Sequence, residues 1–337
     1  MGELPTFLVI GATRSGTTWL HSVLSRHPDI FVPDKKELNF FNERILKEDL
    51  QSYFNDFDPG DHGPRPVRGD MSVNYSILRP AVVERIKRLL PDVRLVFTLR
   101  NPVDRMWSAL KYDHSFLHRK ALDRVPMLAF MRECESPRLR RRTDYQLLIQ
   151  TWERVFGLGS LHIDLFDRLQ KDPAGYTRDI LWHLGADHHW QVPADLLTAR
   201  INVSADVQIP PILRWYLSRA WLEPTRRLND FLEGFVTPWL APMEEDAKSA
   251  PLSWRIMREL NRTLLSLPNR LAYHAYDAGR QRALVRRCDH ILARLPNAPA
   301  CNVDSIRIVC EGRQETWEAD IVADDEGARG SPVPPSG

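Results

Sequence analysis

The sequence is short of cysteine, of long apolar runs and of any excess of charge, and each shortage removes a class of protein. Only four cysteines stand in 337 residues. Cys134, Cys288, Cys301 and Cys310 have neither metal-ligand spacing nor the density of a disulfide framework, so they read as reduced thiols and no metal site is expected. Nowhere do about 18 apolar residues follow one another, which argues against an integral membrane segment. The 46 Lys and Arg nearly balance 44 Asp and Glu, for a formal charge of +2, and such a balance gives no reason to expect a nucleic-acid partner. The first apolar run begins at Phe7, which sets the expectation of no leader peptide and a cytoplasmic location.

What the chain does have is a loop, FLVIGATRSGTTW over residues 7–19. The apolar run at 7–10 reads as a buried parallel strand bounded by Gly11. Gly11 and Gly16 can bring backbone close to a ligand, and Thr17 and Thr18 open a helix carrying Trp19, Leu20, Val23 and Leu24. An oxyanion set there meets free N–H groups and the positive end of a helix dipole. Gly11, Gly16 and Thr18 fit G-x-x-x-x-G-K-[ST], with Thr17 where the lysine would stand. That lysine reaches β- and γ-phosphates, so its absence points away from a triphosphate and leaves Arg14 as the cation inside the loop. A glycine turn that only packs strand on helix is the competing reading.

A second constellation, LVFTLRNPVDRMWSAL, covers residues 95–110. An apolar strand ends in Arg100, and Pro102 starts a helix at its favoured first turn. Arg100 and Ser108 can converge on one anion, through charge-assisted and hydroxyl hydrogen bonds. Ligands in open α/β sheets sit at the carboxyl ends of strands, so the two strand ends are expected to face one crevice. Arg105 fits the same grouping, and equally fits a residue that caps or solvates its helix.

Together these motifs resemble the sulfotransferase superfamily, whose 5′-phosphosulfate loop reads PKSGTTW in cytosolic members and RSGTT in the tyrosylprotein group. Here it stands as Arg14, Ser15, Gly16, Thr17, Thr18 and Trp19. The resemblance runs from Phe7 to about Leu240. It implies an α/β fold, a P-loop-like parallel sheet flanked by helices, with 3′-phosphoadenosine 5′-phosphosulfate (PAPS) as donor and no metal. It also implies that residues Arg14 to Trp19 hold the 5′-phosphosulfate, Arg14 replacing the usual lysine, and that Arg100 and Ser108 hold the 3′-phosphate.

The segment FVPDKKELNFF at 31–41 sets Glu37 between Lys35, Lys36 and Phe40, Phe41. A carboxylate between rings and cations can be partly desolvated yet ionised, as a general base requires. Heparan-type sulfotransferases carry a similar K-E-x-x-F-F segment, and that resemblance implies Glu37 as the base, with Lys36 beside it and Arg14 as the other catalytic residue. A surface Lys-Glu pair over a phenylalanine core is the alternative, and His62, His114 and His118 compete by analogy with the cytosolic branch. Residues 69–75, GDMSVNY, resemble a family turn, with Asp70, Ser72 and Tyr75 kept in type but Met71 and Val73 where lysine and proline often stand. The helix expected at 145–156 and the strand after it read as core through Leu148, Trp152 and Phe156.

The remaining chain is less explicit. Arg138, Arg140, Arg141 and Arg142 read first as a solvated helix face, and second as a segment closing over an anionic donor or acceptor. Asn202 and Ser204 are candidates for adenosine or 3′-phosphate contact. We expect a sulfotransferase domain at 1–240, a mainly helical appendage at 241–325 and a disordered tail at 326–337, with linkers at 244–246 and 249–251, a helical pair after them and a short strand at 305–310. The appendage is a candidate for shaping the acceptor pocket, docking a partner or forming a homodimer; Trp215, Trp221, Trp239 and Trp254 read as core, with lipid contact as the other use. The implied reaction is sulfuryl transfer to a hydroxyl or amine of a small-molecule, carbohydrate or lipid acceptor. A non-catalytic nucleotide-binding scaffold and, less favoured, a P-loop kinase are the alternatives.

Overall fold

The computed structural model describes residues 4–294 apart from positions 59, 61, 62, 64, 118, 120, 200–206, 249 and 266. These residues belong to one compact unit, Met1–Ala298. His62, His118, Asn202, Ser204, Cys301, Cys310, the strand expected at 305–310 and the tail at 326–337 lie outside the described residues.

Five strands build the sheet: β1 (Phe7–Gly11), β2 (Ile30–Phe31), β3 (Val67–Asp70), β4 (Arg94–Leu99) and β5 (Leu161–Leu165), in the order β2-β3-β1-β4-β5 with every pairing parallel. The helices, in chain order, are α1 (Thr17–Leu24), α2 (Leu50–Asn55), α3 (Pro80–Leu89), α4 (Pro102–Tyr112), α5 (Met127–Cys134), α6 (Pro137–Arg141), α7 (Tyr145–Phe156), α8 (Phe166–Lys171), α9 (Pro173–Leu184), α10 (Ala194–Leu197), α11 (Pro211–Phe231), α12 (Leu240–Ala247), α13 (Leu252–Leu260) and α14 (Leu267–Leu292). The α/β fold expected from the sequence is the one observed.

A parallel sheet needs both faces covered, and the period-two alternation of β1 supplies both. Leu8 and Ile10, with Leu95, Phe97 and Leu99, join the larger core under α3, α4, α7 and α11. Phe7, Val9 and Val96 join the smaller one with Trp19, Leu20, Tyr176, Ile180 and Leu181 from α1 and α9. Leu148, Trp152 and Phe156 are buried in the larger core as expected. After β3 the chain crosses β1 to lay down β4 on its other side, and this reversal opens a crevice at the strands' carboxyl ends.

Two expectations need correction. Residues 244–246 are not a linker but lie inside α12, whose Met243 and Ala247 are buried and whose Glu244 accepts from Arg226 at 2.8 Å. The arginines after residue 137 are not a solvated face. Arg138 pairs with Asp113, Arg140 with Glu135 at 3.3 Å and Arg141 with Asp277 at 2.6 Å. The expected helical pair is present as α13 and α14, and α14 packs on α3 and α6. Of the four tryptophans expected in the core, Trp215, Trp221 and Trp239 are buried and Trp254 is half-buried.

Candidate active site

The loop from β1 to α1 delivers backbone N–H groups to the crevice. Gly16 sits at φ 80° just before α1, where an added Cβ would lie 2.4 Å from Leu169, so only glycine fits. Among the described residues no side chain caps α1 and its first turn holds no acid. The amide groups that a helix start leaves without intrahelical partners are thereby kept for an anion.

Around this helix start the fold gathers cations from separate elements. Arg14 Nε donates to Ser108 Oγ of α4 at 3.1 Å, and its guanidinium lies 4.9 Å from the Tyr112 ring centre. Arg100, leaving β4, donates to the Arg14 carbonyl at 2.9 Å and stacks over Phe166 at 4.6 Å. Lys36 Nζ reaches Thr17 Oγ1 at 3.4 Å. Burial pushes the pKa of all three down. Arg14 is lowered further by Arg100, and Lys36 by Arg14, while Glu37 works in the opposite direction on Lys36. Cations desolvated against one another would be stabilised by an incoming anion.

The other loop residues divide. Ser15 is fully buried beside the Tyr145 hydroxyl, which donates to the Arg100 carbonyl at 2.9 Å, and Thr17 is buried within reach of Lys36. Thr18 is half-buried. Trp19 turns away: it is buried in the smaller core, where its indole N–H donates to the Leu196 carbonyl at 2.8 Å. Arg105 neither caps nor solvates its helix. It is fully buried, donates to Thr13 Oγ1 at 3.2 Å and to the Leu139 carbonyl at 3.2 Å, and contacts Thr143, so it ties the phosphate-type loop to α6.

Glu37 lies on the same rim. Its Oε1 is 3.4 Å from Lys36 Nζ, and its Oε2 accepts from Asn74 Nδ2 at 3.5 Å. Arg142 Nη2 donates to Asn74 Oδ1 at 2.7 Å. Because a guanidinium can only donate, this contact turns the Asn74 oxygen toward Arg142 and its amide N–H toward Glu37. Arg142 itself is half-buried, with its pKa pushed down to about 10 by desolvation and then by Arg138 and Arg105. Arg14 and Glu37 both hold positive φ, 65° and 63°, which costs a non-glycine residue on the order of 1–2 kcal/mol. Strain of this kind, at the two residues the sequence nominated for chemistry, marks positions fixed by their surroundings.

Those surroundings include a hub that the GDMSVNY segment forms. Asp70 is fully buried and accepts from Ser72 Oγ at 2.5 Å, Tyr75 OH at 2.6 Å and Tyr53 OH at 2.9 Å. Ser72 Oγ in turn accepts the Asn39 N–H at 2.8 Å, and Tyr75 OH accepts the Phe41 N–H at 3.3 Å. The segment that bears Glu37 therefore hangs from Asp70, while Phe40 and Phe41 are buried beneath it. Burial raises the Asp70 pKa to about 6, against the lowering effect of its three hydroxyl donors. The competing base His114 is buried against Phe130, with Nε2 3.0 Å from Glu133.

Comparison with known proteins agrees with this geometry. A family model described as "Sulfotransferase family" matches residues 5–63 and 72–191. A bifunctional heparan sulfate N-deacetylase/N-sulfotransferase 4 of Mus musculus is 28% identical over 201 residues, covering 56% of this chain and 23% of its own length. The membrane-associated sulfotransferase kil1 of Dictyostelium discoideum is 30% identical over 116 residues, 34% of this chain and 24% of its own. A heparan sulfate glucosamine 3-O-sulfotransferase 3B1 of Mus musculus is 28% identical over 192 residues, covering 54% and 46%. The matched region spans about a quarter of the first two relatives and less than half of the third. A crystal structure of a sulfotransferase from Alicyclobacillus acidocaldarius shares the fold, with TM-score 0.58 and 24% identity over 70% of this chain and 99% of that one. Among the described residues no helix is long and apolar enough to cross a membrane.

Proposed function

The chain belongs to the sulfotransferase family, and from that premise we propose that it transfers a sulfuryl group from PAPS to a hydroxyl or amine of a small-molecule, carbohydrate or lipid acceptor, with Glu37 as general base. The observation that carries the reading is the convergence of Arg14, Arg100, Ser108 and Lys36 on the uncapped start of α1, with the Glu37 carboxylate 3.4 Å from Lys36.

In this reading the α1 amides, the Ser15 to Thr18 segment, Arg14 and Lys36 hold the 5′-phosphosulfate end, and Arg100 with Ser108 the 3′-phosphate. PAPS supplies the activated sulfuryl group. Glu37, held by Lys36 on one oxygen and Asn74 on the other, takes the proton from the attacking acceptor atom. Arg14 steadies the charge that grows on the departing phosphate, and its half-buried setting makes that interaction stronger than it is in water. Trp19 serves as the packing pin of α1 rather than as a contact to the donor. The names of two relatives, both concerned with heparan sulfate, favour a carbohydrate among the acceptor classes. We assign the donor chemistry to residues 1–240 and treat the chain after residue 240, described as far as residue 294, as an appendage. The buried thiols Cys134 and Cys288 suit a reducing compartment such as the cytoplasm.

The test is calorimetric titration with 3′-phosphoadenosine 5′-phosphate without magnesium. Tight binding that is lost in Arg100→Ala, with ATP silent, supports the donor assignment; no binding removes it. Glu37→Gln then separates an enzyme from a scaffold. Bisphosphate affinity should persist while turnover falls about 10²- to 10⁴-fold, the usual contribution of a positioned base.

A further inference from the structure

A cavity of about 510 Å³ opens between α5, α6, α11 and the end of α13, and among the described residues its walls carry Arg140, Arg219, Arg258 and Arg262 around one carboxylate, Glu135. Its size is that of a small-molecule site. Arg140 belongs to the same short helix as the residues leading to Arg142, yet it reaches Glu135 and lies 5.4 Å from the Trp221 ring centre instead of facing Asn74. Three of the four arginines come from residues beyond the matched family region, which ends at residue 191, whereas Arg140 and Glu135 lie within it.

The floor is built from polar groups locked to one another. Glu135 is buried, with one oxygen accepting from Tyr216 OH at 2.7 Å and the other from Arg140 at 3.3 Å. Asn261, fully buried, donates to Tyr216 OH and to the Met131 carbonyl, both at 2.9 Å. An apolar filling would pack this space at lower desolvation cost. The network instead fixes the Arg140 guanidinium over Trp221 at the cavity wall. Arg258 and Arg262 share one further carboxylate, Glu259, at 2.6 and 3.4 Å. Four guanidinium groups thus meet two carboxylates, one of them sealed in the floor.

We propose that this cavity is a second anion site, separate from the one at α1, which takes a small molecule bearing a phosphate or sulfate ester. Guanidinium forks match the geometry of tetrahedral oxyanions, and several forks around one cavity select a ligand with more than one such oxygen pair. Calorimetric titration of inorganic pyrophosphate into the full chain, with and without saturating 3′-phosphoadenosine 5′-phosphate, tests the assignment in low-salt buffer free of phosphate. One equivalent should bind even in the presence of the bisphosphate. Arg219→Ala and Arg262→Ala, whose side chains are exposed and whose loss leaves the core intact, should each weaken it about 10-fold or more, the size of a charge-assisted hydrogen bond. Glucose 6-sulfate should compete and glucose should not. Pyrophosphate that fails to bind, that is displaced fully by the bisphosphate, or that binds Arg219→Ala/Arg262→Ala unchanged would overturn the proposal, and unaltered melting of the variants keeps each result interpretable.

Discussion

The arginines at the head of α1 and those that fasten α14 are the same residue put to opposite uses. Arg14 and Arg100 are half-buried, lie close to each other and are pushed down in pKa chiefly by desolvation. Arg44 at the other extreme is driven up by its hydrogen bonds to Glu48 and Asp56, and in Arg85 the paired Asp289 outweighs burial that works to lower it. Arg85 grips Asp289 of α14 with two hydrogen bonds, at 2.7 and 2.8 Å, and Arg79 and Arg141 share Asp277 at 3.1 and 2.6 Å. A cation supplied with its carboxylate is finished as a structural element. At the α1 crevice desolvation is the largest effect on each arginine and lowers its pKa, whereas in Arg44 and Arg85 the paired carboxylates prevail, and this difference separates the two regions.

Removing Arg14 should give the largest effect on one side of that contrast. Arg14→Ala is expected to lower kcat about 10²- to 10³-fold, as loss of a preorganised charge at the departing group does elsewhere. Chemical denaturation should show no loss of stability, because the deletion relieves a desolvated charge. A variant that unfolds while its folded fraction stays active would move Arg14 into the structural class.

Asp70 is the mirror case, a buried carboxylate held, among the described residues, by three hydroxyl donors. Its folded pKa of about 6 lies above the ordinary value of 3.8. The folded chain thus keeps a proton that the unfolded chain has released, so this contribution is full below pH near 3.8 and is lost as pH rises through about 6. The loss amounts to about 3 kcal/mol at most. Urea unfolding of wild type and Asp70→Asn should therefore show a stability gap that shifts against wild type between pH 4 and pH 7. A gap independent of pH would mean that Asp70 titrates normally and that the hub is held in some other way.

How far the site was legible follows from where its parts come from. The strand-turn-helix containing Arg14, Gly16 and Thr17, and the strand end at Arg100 with Ser108 eight residues on, each encode their geometry within a few residues, so local pattern was enough. Asn74 was not singled out, and Arg142 was weighed only as one of an arginine run, because the two meet only through tertiary packing, 68 positions apart in the chain. The GDMSVNY segment offered its residues but not their task, since the partners of Asp70 and Ser72 lie in α2 and at Asn39. Trp19 was assigned to the donor by its place in the motif, whereas helix periodicity puts it on the face that α1 buries, with Leu20 and Val23. The acidic 244–246 run suggested a linker because its charges give no local reason for a helix; α12 is held by burial of Met243 and Ala247 and by arginines of α11.

The smallest effect is expected at the Arg85 pair, where the comparison is also sharpest. Its geometry is as good as any at the α1 cluster, with both carboxylate oxygens engaged, yet Asp289 is 45% exposed and the pair is open to water and salt. Exposed pairs contribute about 0–1 kcal/mol, the upper end belonging to bidentate arginine contacts. Asp289→Ala should thus lower unfolding free energy by about 1 kcal/mol in dilute buffer and less in high salt, where screening already weakens the pair. The kcat should not change, because Arg85 has no role at the α1 crevice. A loss of turnover without loss of stability would show that α14 positions the catalytic segment, through the Arg79 and Arg141 contacts to Asp277 next to Arg142, and the line between structural and functional arginines would then run through α14 rather than around it.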